Sequence, residues 1–94
     1  MAIGLLTLHL QFPGCDSLKA KRSRLKPLLI RLHREFNISV AEMDHQDIWQ
    51  DATIGCAMVS NDAVLAQRAL QQVGRWVEQH WPDAVLVEEQ LELI

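Results

Sequence analysis

No stretch of this chain is a long apolar run. A membrane-spanning helix needs ~20 consecutive apolar residues, and none occurs although 49% of the 94 residues are hydrophobic. The apolar opening MAIGLLTLHLQF has neither a basic n-region nor a small-residue cleavage site, so it reads as a strand and not as a signal peptide. Cysteine is scarce as well. Two thiols, Cys15 and Cys56, cannot supply the disulfide framework of a small secreted domain, which points to reduced cysteines in a cytoplasmic protein. His9, His33, His45 and His80 include no i,i+4 pair, so neither a zinc site nor any other cofactor is expected. Tyrosine is absent, and the rings are limited to Phe12, Phe36, Trp49, Trp76 and Trp81. With only four glycines and three prolines, no segment reads as a linker. One domain over residues 1–94 is the expectation, of a size that can build a core with a thin margin.

What the chain does have is segregated positive charge. Residues 17–36, SLKAKRSRLKPLLIRLHREF, hold seven of the nine Lys and Arg residues and a single acid, Glu35. That stretch is formally +6 in a chain of -3, which leaves -9 for the rest.

Around it the hydrophobic pattern predicts six elements. Residues 2–12 alternate, with Gly4, Leu6, Leu8, Leu10 and Phe12 on the face that helices should cover. The other face, from Ile3 to Gln11, starts apolar and ends polar. Pro13-Gly14 ends the strand. Ser17 is placed to cap a helix whose buried stripe is Leu18, Leu25, Leu28, Leu29, Leu32 and Phe36. Pro27 within it predicts a kink or a loosely formed first segment. Asn37 suits the C-cap. Residues 38–43 read as a second strand, 44–49 as a loop and 51–59 as a third strand in a central position, since it is apolar on both faces. Ser60, Asn61 and Asp62 can cap a second helix with Leu65, Ala66, Ala69, Leu70, Val73, Trp76, Val77 and His80 on one side. Trp81-Pro82 stops it. In residues 84–94 the pattern turns Val85, Val87, Leu91 and Leu93 inward, leaves Leu86 on the open side, and predicts a bulge or fraying at Glu89. Strand, helix, strand, strand, helix, strand, joined by right-handed crossovers, is the α+β ferredoxin-like sandwich: a four-stranded antiparallel sheet with both helices on one face.

Three stretches carry a family resemblance: SLKAKR at the first helix start, FNISVAEMDHQDIWQ through the second strand and its loop, and the AMVSND helix entry. Over nearly the whole chain they resemble the YlxP-like family of small bacterial proteins, a domain of unknown function. The resemblance implies the same fold and an encoding beside transcription-elongation, translation-initiation and ribosome-binding factors, hence work near RNA or the ribosome. It implies no catalytic residues. Pro27 and His45 are where this chain departs from the family pattern.

Several residues stand out as candidate sites. Lys19, Lys21 and Arg22 lie in the first turns of a helix, where the macrodipole disfavours cations by a few tenths to ~1 kcal/mol each. Helix stability does not explain them. With the Ser17 hydroxyl, the unpaired N–H groups and Arg24, they make an anion- or RNA-binding candidate, and Lys21 and Arg22 flank the apolar arc so as to project over the sheet edge. The competing reading is a solvated basic face. The sheet lacks exposed aromatics on its first and third strands, which argues against base stacking there. RNA contact would be phosphate-directed, with weak sequence preference and no DNA specificity. Trp49, between Asp47 and Asp51, is a possible partner contact if exposed, although folding back over the sheet edge is the commoner fate. Trp76 reads as core. His45 and Asp47 form a weak acid/base candidate. Two further readings stay open. One is a small phosphate-handling enzyme of acylphosphatase-like architecture, with the loop after the first strand as its site but without that family's signature. The other is a dimeric interaction module, a homodimer formed through an open sheet face that exposes Ile3, Leu5 and Leu86.

Overall fold

The computed structural model describes residues 1–44 and 47–94. The chain runs β1 (Ala2–Gln11), α1 (Leu18–Phe36), β2 (Ser39–Asp44), β3 (Asp51–Ser60), α2 (Ala63–His80) and β4 (Val85–Leu93). The strands form one antiparallel sheet in the order β2-β3-β1-β4, and the helices pack on one face of it. This is the ferredoxin-like sandwich that the periodicities predict. No helix is long and apolar enough to cross a membrane among the described residues.

The alternation of β1 decides the layering. Leu6, Leu8, Leu10 and Phe12 are buried with Leu25, Leu28 and Leu32 of α1 and Leu70, Val73 and Val77 of α2. Gly4 belongs to the same face, and a Cβ there would stand 2.5 Å from Cδ1 of the buried Leu70. Leu70 is fully buried but Cδ1 is the end of its side chain and can turn aside, so Gly4→Ala is expected to cost about 1 kcal/mol, the low end of overpacking, read as a lower urea midpoint at unchanged m-value.

Both helix starts follow their cap chemistry. Ser17 Oγ accepts the Ala20 N–H at 3.0 Å, and Asp62 Oδ1 accepts those of Val64 and Leu65. Asn37 ends α1 in the left-handed region at φ 52°, its N–H donating to the His33 carbonyl. Of the kink or loose first segment expected from Pro27, the loose segment is absent, since α1 is continuous through Pro27. Both Pro27 and Ser23, whose carbonyl loses its helical donor, face solvent, so water can take the place of the missing N–H.

Five side-chain assignments change. A register shift opposite His9 and Leu10 pairs Leu10 with Leu86 and His9 with Glu88, leaving Val87 as the extra residue. The bulge foreseen at Glu89 thus falls two residues earlier and reverses the phase before it. Leu86 packs on the core instead of the open face, and Val85 and Val87 are exposed. Leu65, read as inward, is also exposed, in the first turn of α2. Trp76 is only partly buried, at the edge of the core.

Candidate nucleic-acid interface

All nine Lys and Arg residues lie on α1 and α2, where Glu35 and Glu78 are the only acids. The helix layer is therefore formally +7, and the strands and loops carry -10. One side of the molecule is cationic and the rest anionic, a separation that the packing of both helices on one sheet face imposes.

The first turns of α1, where sequence reasoning put the anion site, are largely engaged by the protein itself. Lys21 is the clearest correction. Its side chain is fully buried (0% exposed), with Nζ 2.9 Å from Glu42 Oε2 and donating to the carbonyls of Ile48 at 2.7 Å and Asp51 at 3.1 Å. It does not project over the sheet edge towards a ligand. Removing an ammonium from water costs several kcal/mol unless oxygens replace the lost hydration, and these three do so. Arg24 is half-buried: it donates to the carbonyls of Pro13 (3.3 Å) and Asp83 (3.0 Å) and lies 5.2 Å from the centre of the Phe12 ring. It ties the β1–α1 loop to the α2–β4 turn. The Ser17 hydroxyl is occupied as a helix cap.

Lys19 and Arg22 remain exposed. Helical spacing places Lys19 with Lys26 and Arg34, also exposed, on the side of α1 away from the buried Leu25, Leu28 and Leu32, and Arg22 on its flank. These four cations form a ridge along the whole outer surface of α1. Arg68 and Arg75 face solvent on α2. Between the helices lies a hollow of about 570 Å³ lined by Glu35, Phe36, Gln72, Arg75, Trp76 and Gln79. Sequence reasoning missed this hollow because Trp76 was assigned to the core.

Trp49 is 51% exposed beside Ile48, also exposed, in a surface hollow with Asp47, Gln50 and Asp51. The segment that displays it is fastened on two sides. Lys21 holds the carbonyls of Ile48 and Asp51, and the Gln50 carbonyl accepts the Phe12 N–H at 2.8 Å. His45 lies outside the described residues. Among the described residues no group of three or more His, Cys, Asp and Glu could hold a metal. Both cysteines are buried, and burial pushes the Cys56 thiol up to about 12, which keeps it protonated and unreactive at neutral pH.

The open sheet face divides by character. Leu5, Ala41, Met43, Gly55 and Ala57 line an apolar hollow on the β2 side, with Met43 lying over Gly55. Towards β4 the face turns polar, with Thr7, His9, Thr53, Glu88 and Gln90 around a smaller hollow. His9 Nε2 stands 2.8 Å from Asp51 Oδ1.

The family described as protein of unknown function (DUF503) matches residues 3–90. The protein recorded as "Uncharacterized protein YlxP" of Bacillus subtilis (strain 168) is 40% identical over 62 residues, covering 66% of this chain and 67% of that protein.

Proposed function

We propose an RNA-binding, non-catalytic role for this chain, which belongs to the DUF503 family of proteins of unknown function. The observation that carries the reading is the confinement of all nine cations to the helix layer, with seven of them exposed. A polyanion recognised through phosphates needs an extended set of exposed cations and few acids among them. The outer surface of α1, from Lys19 through Arg22 and Lys26 to Arg34, meets that need. The N-terminal turn alone does not, because Lys21 and Arg24 serve the fold. Of the earlier candidates, Lys19 and Arg22 stay in the proposed site, and Lys26 and Arg34 join them. The ligand is RNA, with ribosomal RNA as the first to test given the family resemblance. Co-sedimentation with ribosomal subunits is expected at low salt and lost at high salt. A chain that stays in the supernatant at every salt concentration contradicts the ribosomal assignment.

The apolar hollow of the open sheet face favours a second copy of the chain as its occupant. Association there leaves both helix layers facing outward and doubles the cations offered to one long polyanion. Light scattering is expected to give a dimer mass that Met43→Glu reduces to a monomer. A wild-type monomer across the accessible concentration range contradicts this pairing.

A further inference from the structure

We infer that the hollow between α1 and α2 receives an unpaired base, stacked on Trp76. The inference rests on the RNA reading above and deepens it from phosphate contact to base contact. Phosphate-directed cations alone give a binding surface, whereas a single-strand binder also needs a ring on which a base can lie. The sheet does not offer one: its open face carries no aromatic side chain from β1 or β3. The helix side does.

Trp76 sits at the middle of an aromatic row. Phe36 meets it edge-on at 6.2 Å, His80 stacks at 4.8 Å, and Trp81 lies 6.2 Å away at 27°. These contacts limit the orientations open to the indole, so less side-chain freedom is lost when a ligand stacks on it. The Arg31 guanidinium lies 5.4 Å from the ring centre and is itself about half exposed. It marks a place where a flat cationic group already occupies the indole and can be exchanged for a base, leaving Arg31 to a phosphate. The hollow, about 570 Å³, falls within the ~300–1,000 Å³ of ordinary ligand sites. Gln72 and Gln79 on its walls can bond the edge of a base, the Glu35 carboxylate there is paired with Arg31 at 3.7 Å, and Arg75 beside them supplies a cation for the backbone. Rings among cations, with amides at the rim, are the chemistry of a single-stranded nucleic acid site. An acidic protein partner would use the cations and leave the ring idle.

The test compares a single-stranded oligoribonucleotide with heparin, a polyanion that has no bases. Trp76→Leu is expected to weaken oligoribonucleotide binding roughly 5- to 150-fold, the measured range for one stacked base, and to leave heparin binding unchanged. Because that substitution removes packing, a second protein, Trp49→Phe/Trp81→Phe, keeps Trp76 as the sole indole. Its fluorescence is expected to be quenched by the oligoribonucleotide and not by heparin. Wild-type binding of RNA with an unquenched Trp76, or equal losses for both ligands in a folded Trp76→Leu, overturns the stacking site alone. Failure of the wild type to bind the oligoribonucleotide overturns the RNA reading and this inference with it.

Discussion

Replacing Lys21 with methionine is expected to lower the unfolding free energy by about 3–5 kcal/mol, the usual cost of removing one member of a buried ion pair. Stability of a 94-residue domain is itself roughly 5–14 kcal/mol, so the variant should be severely weakened. Methionine fills the space of the lysine stem but takes away the ammonium shared by Glu42 Oε2 and the carbonyls of Ile48 and Asp51. These groups come from β2, from the segment that carries Trp49 and from the start of β3, so one cation fastens α1 to all three. Adding Glu42→Leu to Lys21→Met is expected to recover part of the loss, since an apolar pair can match a buried ion pair in stability. Urea denaturation of the two single variants and the double variant checks both statements. A cost below ~1 kcal/mol for Lys21→Met would return this lysine to the list of ligand contacts.

Charge reversal along the outer surface of α1 is expected to have the larger effect on binding. Each single-strand phosphate neutralised by a cation contributes about 0.7 to the log–log salt slope. Four contacts, from Lys19, Arg22, Lys26 and Arg34, give a slope near roughly -3, so a fourfold rise in salt should weaken binding by about 50-fold. Lys19→Glu/Arg22→Glu/Lys26→Glu should reduce the slope by about 2 and add repulsion, lowering affinity at low salt by more than about tenfold. All three side chains are exposed, so thermal stability should hardly move. Glu88→Ala on the open sheet face serves as the control and should leave the slope as it is. A triple variant that keeps the wild-type slope removes α1 from the interface.

The elements were legible because their periods are clean. β1 alternates without error, the leucines of α1 recur at three and four, and Ser17, Asp62 and Asn37 sit where cap chemistry requires them. Strand phase after a bulge was not legible. Val87 is the extra residue, and nothing local distinguishes it from Leu86, so the inward set of β4 was read one residue out of phase on one side of the bulge. Lys21 was misread for a different reason. A lysine on the margin of an apolar arc usually extends its amine to water, and the oxygens that bury this one come from Glu42, Ile48 and Asp51, 21 to 30 residues later. One signal was available: Glu42 shares a strand face with Val40, and an inward carboxylate requires a cation. Trp76 shows the limit of helical stripes, which say which side faces the core but not where along the helix the core ends. The charge of the first helix was plain in the sequence. That Arg68 and Arg75 complete the same face follows only from the packing of both helices on one side of the sheet.

The direct measurement is chemical-shift mapping of the protein titrated with a single-stranded oligoribonucleotide at low salt. The account predicts perturbations at Lys19, Arg22, Lys26 and Arg34 and at the Trp76 indole, all on the helix side. Ile3, Leu5 and Thr7 on the open sheet should stay unshifted. Perturbations centred on β1 and β3 with the α1 ridge silent would contradict it and place the ligand on the opposite face of the molecule.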